Sequence, residues 1–272
     1  MEELYSCNLR YECMKELSVV IIGSGNAAAF LARNIALRGI KINRIISRNE
    51  ERGKALAAKV NTPWSNDFSC TFPDECIIIS AVKDSAAKEV WGKFDFGSAL
   101  VLHTAGTLPL SALAAFAQNC GVLYPLQTLS AARELDSRHV PFLIEANTTE
   151  NLERVRALAR CLSDKVQEAD SAVRGKLHLA AVFANNFSNL CFRIAWELAE
   201  KEGLDPEVLL PLIEESCAKL RTLPPAQAQT GPAVRWDENV IAKHLELLSG
   251  MPETAEFYRL ASSEIHRRTI KK

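Results

Sequence analysis

The first part of the chain alternates short, continuous apolar runs with longer amphipathic stretches. The apolar runs are rich in isoleucine, valine and leucine, which is typical of strands buried on both faces of a parallel sheet. We predict six such strands: Leu17–Ile22, Ile42–Ser47, Cys76–Ala81, Ala99–Leu102, Val122–Tyr124 and Pro141–Ala146. Helices are predicted between them. The alternation indicates an α/β, doubly wound domain over residues 17–167.

The pattern changes after this domain. From Asp170 to Lys201 no strand is predicted, and alanine, leucine and aromatic residues dominate one helix that Gly203 ends. A helix of about 30 residues is roughly 45 Å long, and apolar residues on nearly all its sides indicate burial over most of its surface. One small domain does not cover so much apolar surface. We therefore expect a second copy of the chain to pack along this helix in a homodimer.

The remaining residues carry helix signals. Residues suited to helix starts are Pro206, Asp237 and Pro252. The Pro224-Pro225 pair predicts a helix stop. We therefore expect an all-helical dimerisation domain over residues 168–272, after the doubly wound domain.

Residues 1–16 are polar and of mixed charge, without the apolar core of a secretory signal. We expect them to form an N-terminal extension, and either Met1 or Met14 could be the natural start. No stretch of the chain is apolar enough over a sufficient length to cross a bilayer, so a membrane protein is not expected.

Composition and charge narrow the class of function. The chain has 272 residues, of which 48% are hydrophobic and 24% charged, as in ordinary globular domains. The formal net charge is −1 with both signs scattered, so no basic surface for nucleic acid or a membrane is expected. Eight cysteines lie apart in apolar segments without a C-x-x-C pair. This favours buried free thiols in a reducing cytoplasm over disulfides or a metal site.

The first strand runs into a glycine-rich turn, GSGNAA, and a helix predicted to end at Gly39 follows. Strand, turn and helix in this order are the context that the dinucleotide-binding fingerprint G-x-G-x-x-A requires. There Gly23 permits the turn, Gly25 lets the backbone approach a pyrophosphate, and Ala28 lets helix and strand pack closely. Free N–H groups at the helix start predict cofactor contacts from Gly23, Ser24, Gly25, Asn26, Ala27 and Ala28. A chance glycine turn is the alternative.

The end of the second strand indicates the type of nucleotide. About 20 residues after the glycines, an Asp or Glu normally holds the 2′-hydroxyl of the ribose. This chain has Ser47, Arg48 and Asn49 there instead. The guanidinium group of Arg48 suits a 2′-phosphate, so NADP(H) is expected rather than NAD, FAD or S-adenosylmethionine. Ser47 and Asn49 would be further donors, and a solvated loop arginine is the alternative.

Two more strand ends belong to the same edge, because ligands of such sheets bind beyond the carboxyl ends of the strands. We expect Ala81, Val82 and Lys83 after one strand, and Thr104 after the next, to border the cofactor. His103 ends the latter strand and is a candidate acid or base. A core histidine bonded to the backbone would explain it as well.

The long helix carries a second candidate histidine. His178 and Asn186 form part of a polar edge on a helix that is otherwise apolar, and buried polar groups need partners. These partners are either structural groups or a substrate. We retain both residues as candidate catalytic groups.

The segment TGPAVRWD connects two helices and is predicted to lack regular structure. As an edge of a substrate site it would bring Arg235 to an anionic group, beside Thr230, Gly231 and Pro232. The alternative is a plain connector whose Asp237 caps the next helix.

Taken together, motifs over residues 17–270 resemble an uncharacterised oxidoreductase family that joins an NADP-type Rossmann domain to the helical domain of unknown function 2520. These motifs are IIGSGNAAAFLA, ISRN, SAVKDSA, LHTAG, YPLQT, KLHLAAVFANN, LLPLIEES, TGPAVRWD and KHLELL. More distantly, the layout is similar to pyrroline-5-carboxylate reductase and the 3-hydroxyacid dehydrogenases, which place the substrate between the Rossmann domain and a dimeric helical domain. The resemblance implies NADP as cofactor and site roles for His103, His178, Asn186 and the TGPAVRWD segment.

The resemblance implies a fold and a cofactor, but no substrate. The lysine–asparagine pair of the 3-hydroxyacid dehydrogenases is absent, because Lys176 is followed one helical turn later by Ala180. We expect an NADP(H)-dependent oxidoreductase that transfers a hydride to or from a small carbonyl, imine or hydroxy-acid-like metabolite, at a site between the two domains. A non-catalytic NADP-binding sensor or scaffold is the alternative, since the sequence shows no unmistakable catalytic dyad.

Overall fold

The computed structural model describes residues 17–73, 76–130 and 133–270. The expected N-terminal extension, residues 1–16, lies outside these ranges. Residues of the chain contact one another mainly within two compact units, one that ends at Asn185 and one that begins at Asn186.

The first unit is built on one sheet. Its strands are β1 (Ser18–Ile22), β2 (Lys41–Ile46), β3 (Trp64–Ser65), β4 (Ile77–Ser80), β5 (Leu100–His103), β6 (Asn119–Pro125), β7 (Phe142–Ala146) and β8 (Val166–Glu168). Their order across the sheet is β3-β2-β1-β4-β5-β6-β7-β8. Neighbouring strands are parallel except β6 and β7, which are antiparallel. The order from β3 to β6 is that of a Rossmann domain, so the predicted fold class is confirmed.

Helices cover both faces of the sheet. They are α1 (Asn26–Leu37), α2 (Glu50–Lys59), α3 (Ala87–Trp91), α4 (Leu110–Ala114) and α5 (Thr149–Leu162). One face packs against α1, α2 and α5, and the other packs against α3 and α4. Because both faces are buried, the central strands are continuous apolar runs rather than alternating ones.

The structure adds three features to the predicted sheet. Two short strands, β3 and β8, were not predicted, because two or three residues carry no recognisable period. The strand predicted at Val122–Tyr124 is longer at both ends. Finally, β7 runs antiparallel to β6, a direction that a buried apolar run does not specify.

The predicted long helix is continuous but not uniform. It consists of α6 (Ser171–Ala181), a π-helical segment (Val182–Phe187) and α7 (Ser188–Lys201). Asp170 caps its start by accepting a hydrogen bond from the backbone N–H of Val173. We predicted burial on most sides. In the single chain, however, the side chains of Leu179, Leu190 and Phe192 are 57%, 45% and 36% exposed.

The regular elements of the second unit, within its described residues, are all helices. After α7 come α8 (Leu210–Lys219), α9 (Pro225–Ala228), α10 (Pro232–Arg235), α11 (Glu238–Leu247) and α12 (Pro252–Ile270). The predicted roles of Pro252 as a helix start and of Asp237 as a cap are confirmed. The helix before the Pro224-Pro225 pair ends at Lys219, and Pro225 then opens a short helix. One prediction is wrong: the connector TGPAVRWD contains the turn α10 instead of lacking regular structure.

The expectation of buried thiols holds only in part. Cys120 is buried, whereas Cys191 and Cys217 are exposed, and none of these three forms a disulfide. Within the described residues, no group of His, Cys, Asp or Glu side chains is arranged to hold a metal ion.

None of the helices described has the length and apolarity needed to span a membrane.

Candidate cofactor and active site

The carboxyl ends of four parallel strands meet at one edge of the sheet. In register, Ile22 of β1 lies beside Ile46 of β2 and Ser80 of β4, and Ser80 lies beside His103 of β5. The residues that follow these strand ends are therefore neighbours. This edge holds the predicted cofactor contacts of the first unit: Gly23 to Ala28, Ser47 to Asn49, Ala81 to Lys83, and Thr104.

The two turn glycines have different surroundings. The backbone of Gly23 has a φ of +126°, and a Cβ atom there would lie 2.5 Å from the carbonyl oxygen of Ala81. A Cβ atom on Gly25 would have no described atom within 4 Å. Gly25 is the N-cap of α1 and, having no side chain, does not cap the first amides of the helix. Backbone amides of this kind suit a pyrophosphate, and the site therefore fits a dinucleotide.

Of the three residues after β2, Ser47 is buried, whereas Arg48 and Asn49 are exposed. The Ser47 hydroxyl is buried, where it accepts a hydrogen bond from Trp64 Nε1 at 3.0 Å and donates one to the Asn49 carbonyl at 3.0 Å. The Asn49 side chain caps α2 by accepting from the backbone N–H of Arg52 at 2.8 Å. Ser47 and Asn49 thus shape the turn, while exposed Arg48 remains the group suited to a 2′-phosphate.

Asn26, at the start of α1, also has a structural role. Its side-chain amide donates to the carbonyl oxygen of Leu129 at 2.9 Å, which holds the segment after β6 beside the glycine turn. A cleft of about 800 Å³ opens here, between α1, α2 and this segment, and it includes Ser24 and Gly25. Among the described residues, neither Arg48 nor His178 lines it. The cleft therefore adjoins the cofactor edge without being the crevice across the strand ends.

His103 lies inside the domain. It is 1% exposed, its Nδ1 accepts a hydrogen bond from the backbone N–H of Ala105 at 3.2 Å, and its Nε2 has no partner within the described residues. Burial, helped by the positive charge of Arg174, lowers the pKa of His103 to about 3. This imidazole is neutral at physiological pH. That makes His103 a poor proton carrier, although the sequence suggested it as one.

His178, in contrast, lies at the edge of the sheet. Its Nδ1 is 3.0 Å from the hydroxyl oxygen of Tyr124, which belongs to β6, and the two rings meet edge to face with centroids 6.0 Å apart. The backbone of Gly106 packs on the imidazole so closely that a Cβ atom there would lie 2.5 Å from Nδ1. The loop after β5 and the end of β6 thus hold His178 close to the predicted cofactor residue Thr104.

A buried ion pair anchors the helix that carries His178. One turn before His178, Arg174 is fully buried and pairs through Nη1 with the carboxylate of Glu145 on β7. Arg174 Nη2 donates to the carbonyl oxygen of Leu108 at 2.6 Å. The Ser171 hydroxyl donates to the Glu145 carboxylate and accepts from the backbone N–H of Leu110 at 2.9 Å. This network joins α6, β7 and the loop after β5.

Sequence reasoning missed Tyr124, Arg174 and Glu145 as parts of the site. Each left a signal: Tyr124 ends a strand in the motif YPLQT, Arg174 interrupts an apolar helix, and Glu145 interrupts an apolar strand. Burial raises the pKa of Tyr124, while the charge of Arg174 lowers it and that of Asp84 raises it. Asp84 accepts a hydrogen bond from the Thr107 hydroxyl at 2.7 Å, so it also lies at this edge.

The other predicted substrate contacts belong to the second unit. Asn186 is exposed in the π-helical segment. Thr230, Gly231, Pro232 and Arg235 form the short turn around α10, in which Gly231 has a φ of +108°. Trp236 ends this turn in the left-handed region, with a φ of +54°, and its ring lies 5.1 Å from that of His266. Their roles as substrate contacts stay predictions.

Two family models match the chain. Residues 18–105 match the family described as NADP oxidoreductase, coenzyme F420-dependent, and residues 140–265 match the domain of unknown function DUF2520. No curated protein matches the sequence significantly.

Solved structures share the fold over almost the whole chain. A Bacteroides fragilis protein provisionally named an NADP oxidoreductase is 40% identical, with a TM-score of 0.87 over 93% of this chain and 99% of that one. A Thermotoga maritima protein is 21% identical, with a TM-score of 0.68 over 93% and 98% of the two chains. 1-Pyrroline-5-carboxylate reductase from Streptococcus pyogenes is 16% identical, with a TM-score of 0.59 over 92% and 98%. The last two similarities show the fold alone.

The similarity to the Bacteroides protein covers nearly all of both chains, so it extends to both domains. The two family models match in the order that the motifs predicted, a Rossmann-type oxidoreductase domain followed by DUF2520. The chain therefore belongs to the family of NADP oxidoreductases in which a Rossmann domain is joined to a DUF2520 domain.

Proposed function

We propose that this chain is an NADP(H)-dependent oxidoreductase that transfers a hydride to or from a small carbonyl, imine or hydroxy-acid-like metabolite. The observation that carries the proposal is the layout of one sheet edge. Arg48 follows β2, the open glycine turn follows β1, and Thr104 and Gly106 follow β5 beside His178. From β2 to β5 the sheet spans three strand spacings, roughly 14 Å. A dinucleotide laid across this edge would have its 2′-phosphate at one end and its reactive ring at the other.

Each group at the edge has a role in the proposal. When bound, NADPH supplies the hydride from its nicotinamide ring. The first amides of α1 hold the pyrophosphate, and Arg48 pairs with the 2′-phosphate. His178 makes the hydrogen bond to the reacting group of the substrate, or exchanges a proton with it. Asn186 and the residues around α10 would be further substrate contacts.

The first prediction concerns the choice of nucleotide. Arg48→Ala should weaken NADPH binding by about 10- to 100-fold, because it removes a charge-assisted hydrogen bond to the 2′-phosphate. NADH binding should stay almost the same, since NADH lacks that phosphate. Calorimetric titration of the purified protein with each nucleotide measures both affinities.

Arg38→Ala is the control for this experiment. Arg38 pairs with Asp136 at the far end of α1, about 18 Å from the glycine turn at 1.5 Å per residue. Its removal should leave the NADPH-to-NADH ratio unchanged. Equal binding of the two nucleotides by the parent protein would show that Arg48 does not select NADP(H).

Turnover distinguishes an enzyme from a protein that only binds the nucleotide. A panel of keto acids, imines and hydroxy acids, each incubated with NADPH or NADP+, should contain a compound whose conversion changes the absorbance at the nicotinamide band. NADPH binding without turnover of any panel member would speak against this substrate class.

The second prediction concerns the oligomer. We propose a homodimer formed along α6 and α7, because Leu179, Leu190 and Phe192 expose large apolar side chains on one long helix. Sedimentation equilibrium should give twice the 30.0 kDa of one chain. Leu190→Glu should shift the mass towards the monomer, whereas Leu37→Glu, at the exposed end of α1, should leave the dimer intact. A monomer for the parent protein would refute the dimer.

A further inference from the structure

Tyr124 and His178 form a closely held pair. The Tyr124 side chain is 9% exposed, and its hydroxyl oxygen lies 3.0 Å from His178 Nδ1. The backbone of Gly106 packs against the same imidazole. His178 itself is half-buried. One nitrogen of His178 is therefore occupied by Tyr124, which leaves Nε2 as the nitrogen available to a ligand.

The Tyr124 hydroxyl is able to donate this hydrogen bond, and its direction depends on the tautomer of His178. Burial raises the pKa of its phenol, so the phenol is protonated at neutral pH and can donate. The charged groups that act on Tyr124 are Arg174 from α6 and Asp84 from the segment after β4, and their effects oppose each other. When the phenol donates to Nδ1, neutral His178 carries its proton on Nε2.

We propose that Tyr124 is a positioning residue, which fixes neutral His178 in the tautomer whose Nε2–H faces the substrate. In this role His178 donates a hydrogen bond to the carbonyl oxygen or imine nitrogen at the carbon that takes up the hydride. The negative charge that develops on this atom strengthens the hydrogen bond in the transition state. The inference rests on the proposed function, and it favours substrates with a C=O or C=N acceptor over those without one.

The tautomer of His178 is the direct test. With histidine labelled by ¹⁵N, long-range proton–nitrogen spectra show which ring nitrogen carries the proton. We expect Nε2 to be protonated and Nδ1 to be a hydrogen-bond acceptor in the parent protein at neutral pH. In Tyr124→Phe, which keeps the ring but removes the hydroxyl, the Nδ1 resonance should move to the position of an acceptor without a donor. His178→Ala assigns the signals.

Kinetics give the second readout. With a substrate from the panel, Tyr124→Phe should lower kcat by about 10-fold while KM and the affinity for NADPH change little, because one orienting hydrogen bond is lost. The matched control is Tyr258→Phe. Tyr258 and His244 form a similar pair in the second unit, with Tyr258 Oη 2.8 Å from His244 Nδ1. That variant should move the His244 resonance and leave kcat unchanged.

The outcomes separate this inference from the proposed function. A parent protein in which Nδ1 of His178 carries the proton overturns the inference, and so does a Tyr124→Phe variant with an unchanged Nδ1 resonance or an unchanged kcat. Failure of the parent protein to bind NADPH overturns the proposed function instead, whatever the tautomer is. The expected tautomer together with the expected loss of kcat supports both.

Discussion

Arg174→Met is expected to lower the free energy of unfolding by about 3–5 kcal/mol, because it removes one partner of a buried ion pair. The Arg174 side chain is 0% exposed and that of Glu145 is 18% exposed. Methionine is also long and flexible, so most of the packing of the stem is kept. The carboxylate of Glu145 would retain the hydroxyl of Ser171 as a donor but lose its counter-charge.

Urea unfolding followed by circular dichroism measures this loss. Arg193→Met is the control, since Arg193 pairs with Glu197 at the surface with a side chain that is 76% exposed; we expect a change of less than about 1 kcal/mol there. The double variant Glu145→Leu/Arg174→Met should regain much of the stability, because it leaves no uncompensated charge. If Arg174→Met unfolds at the same urea concentration as Arg193→Met, the ion pair does not stabilise the fold.

The Arg174–Glu145 ion pair contributes to the stability of the domain and also helps to hold His178 in place. Arg174 lies one helical turn before His178, and it also bonds to the carbonyl oxygen of Leu108. Leu108 belongs to the loop whose Gly106 packs against the imidazole. A loss of this anchor would therefore loosen both sides of the contact that holds His178.

Gly23→Ala is expected to lower the free energy of unfolding by about 2–5 kcal/mol, because strain of the backbone and a steric clash add up. A φ of +126° is rare for residues with a Cβ atom, and the new Cβ atom would lie 2.5 Å from the carbonyl oxygen of Ala81. That oxygen belongs to the backbone and cannot move aside cheaply. The turn would have to shift, so NADPH binding should weaken as well.

Gly25→Ala is the matched control, two residues further along the same turn. Its φ of −83° is ordinary, and its Cβ atom would point into open space. We expect a change in stability of about 1 kcal/mol or less, as for a replaced N-cap residue, but weaker NADPH binding, because the methyl group would face the pyrophosphate. Thermal unfolding measures the stability of both variants, and NADPH titration measures their affinity for the cofactor. Equal stabilities for the two variants would contradict the role assigned to Gly23.

Local patterns were sufficient to predict the elements around the glycine turn. A continuous apolar run, two glycines and an alanine-rich stretch are contiguous in the chain, and the strand predicted at Leu17–Ile22 is observed at Ser18–Ile22. The cap at Asp237 was equally local, because a capping side chain bonds to the backbone a few residues away. The short edge strands β3 and β8 were missed, since their hydrogen bonds depend on neighbouring strands.

The meeting of four strand ends at one edge of the sheet could also be predicted, because the carboxyl ends of parallel strands in a doubly wound sheet lie together. The roles of individual side chains there could not. Ser47 and Asn49 were expected to donate to the nucleotide, which stays a prediction; the structure adds that the Ser47 hydroxyl bonds to Trp64 and that the Asn49 side-chain oxygen caps α2. A motif specifies which residues occupy a turn, but not which of them point outward.

By itself, the sequence determined most local elements of this protein and the order of its two family domains. The tertiary structure alone decided the partners of His178 and Arg174. Tyr124 lies 54 positions from His178, and Glu145 lies 29 positions from Arg174. Hydrophobic periodicity tells which face of a helix is buried, but the packing of that helix on the sheet decides which polar groups meet, because such contacts join residues that are distant in sequence.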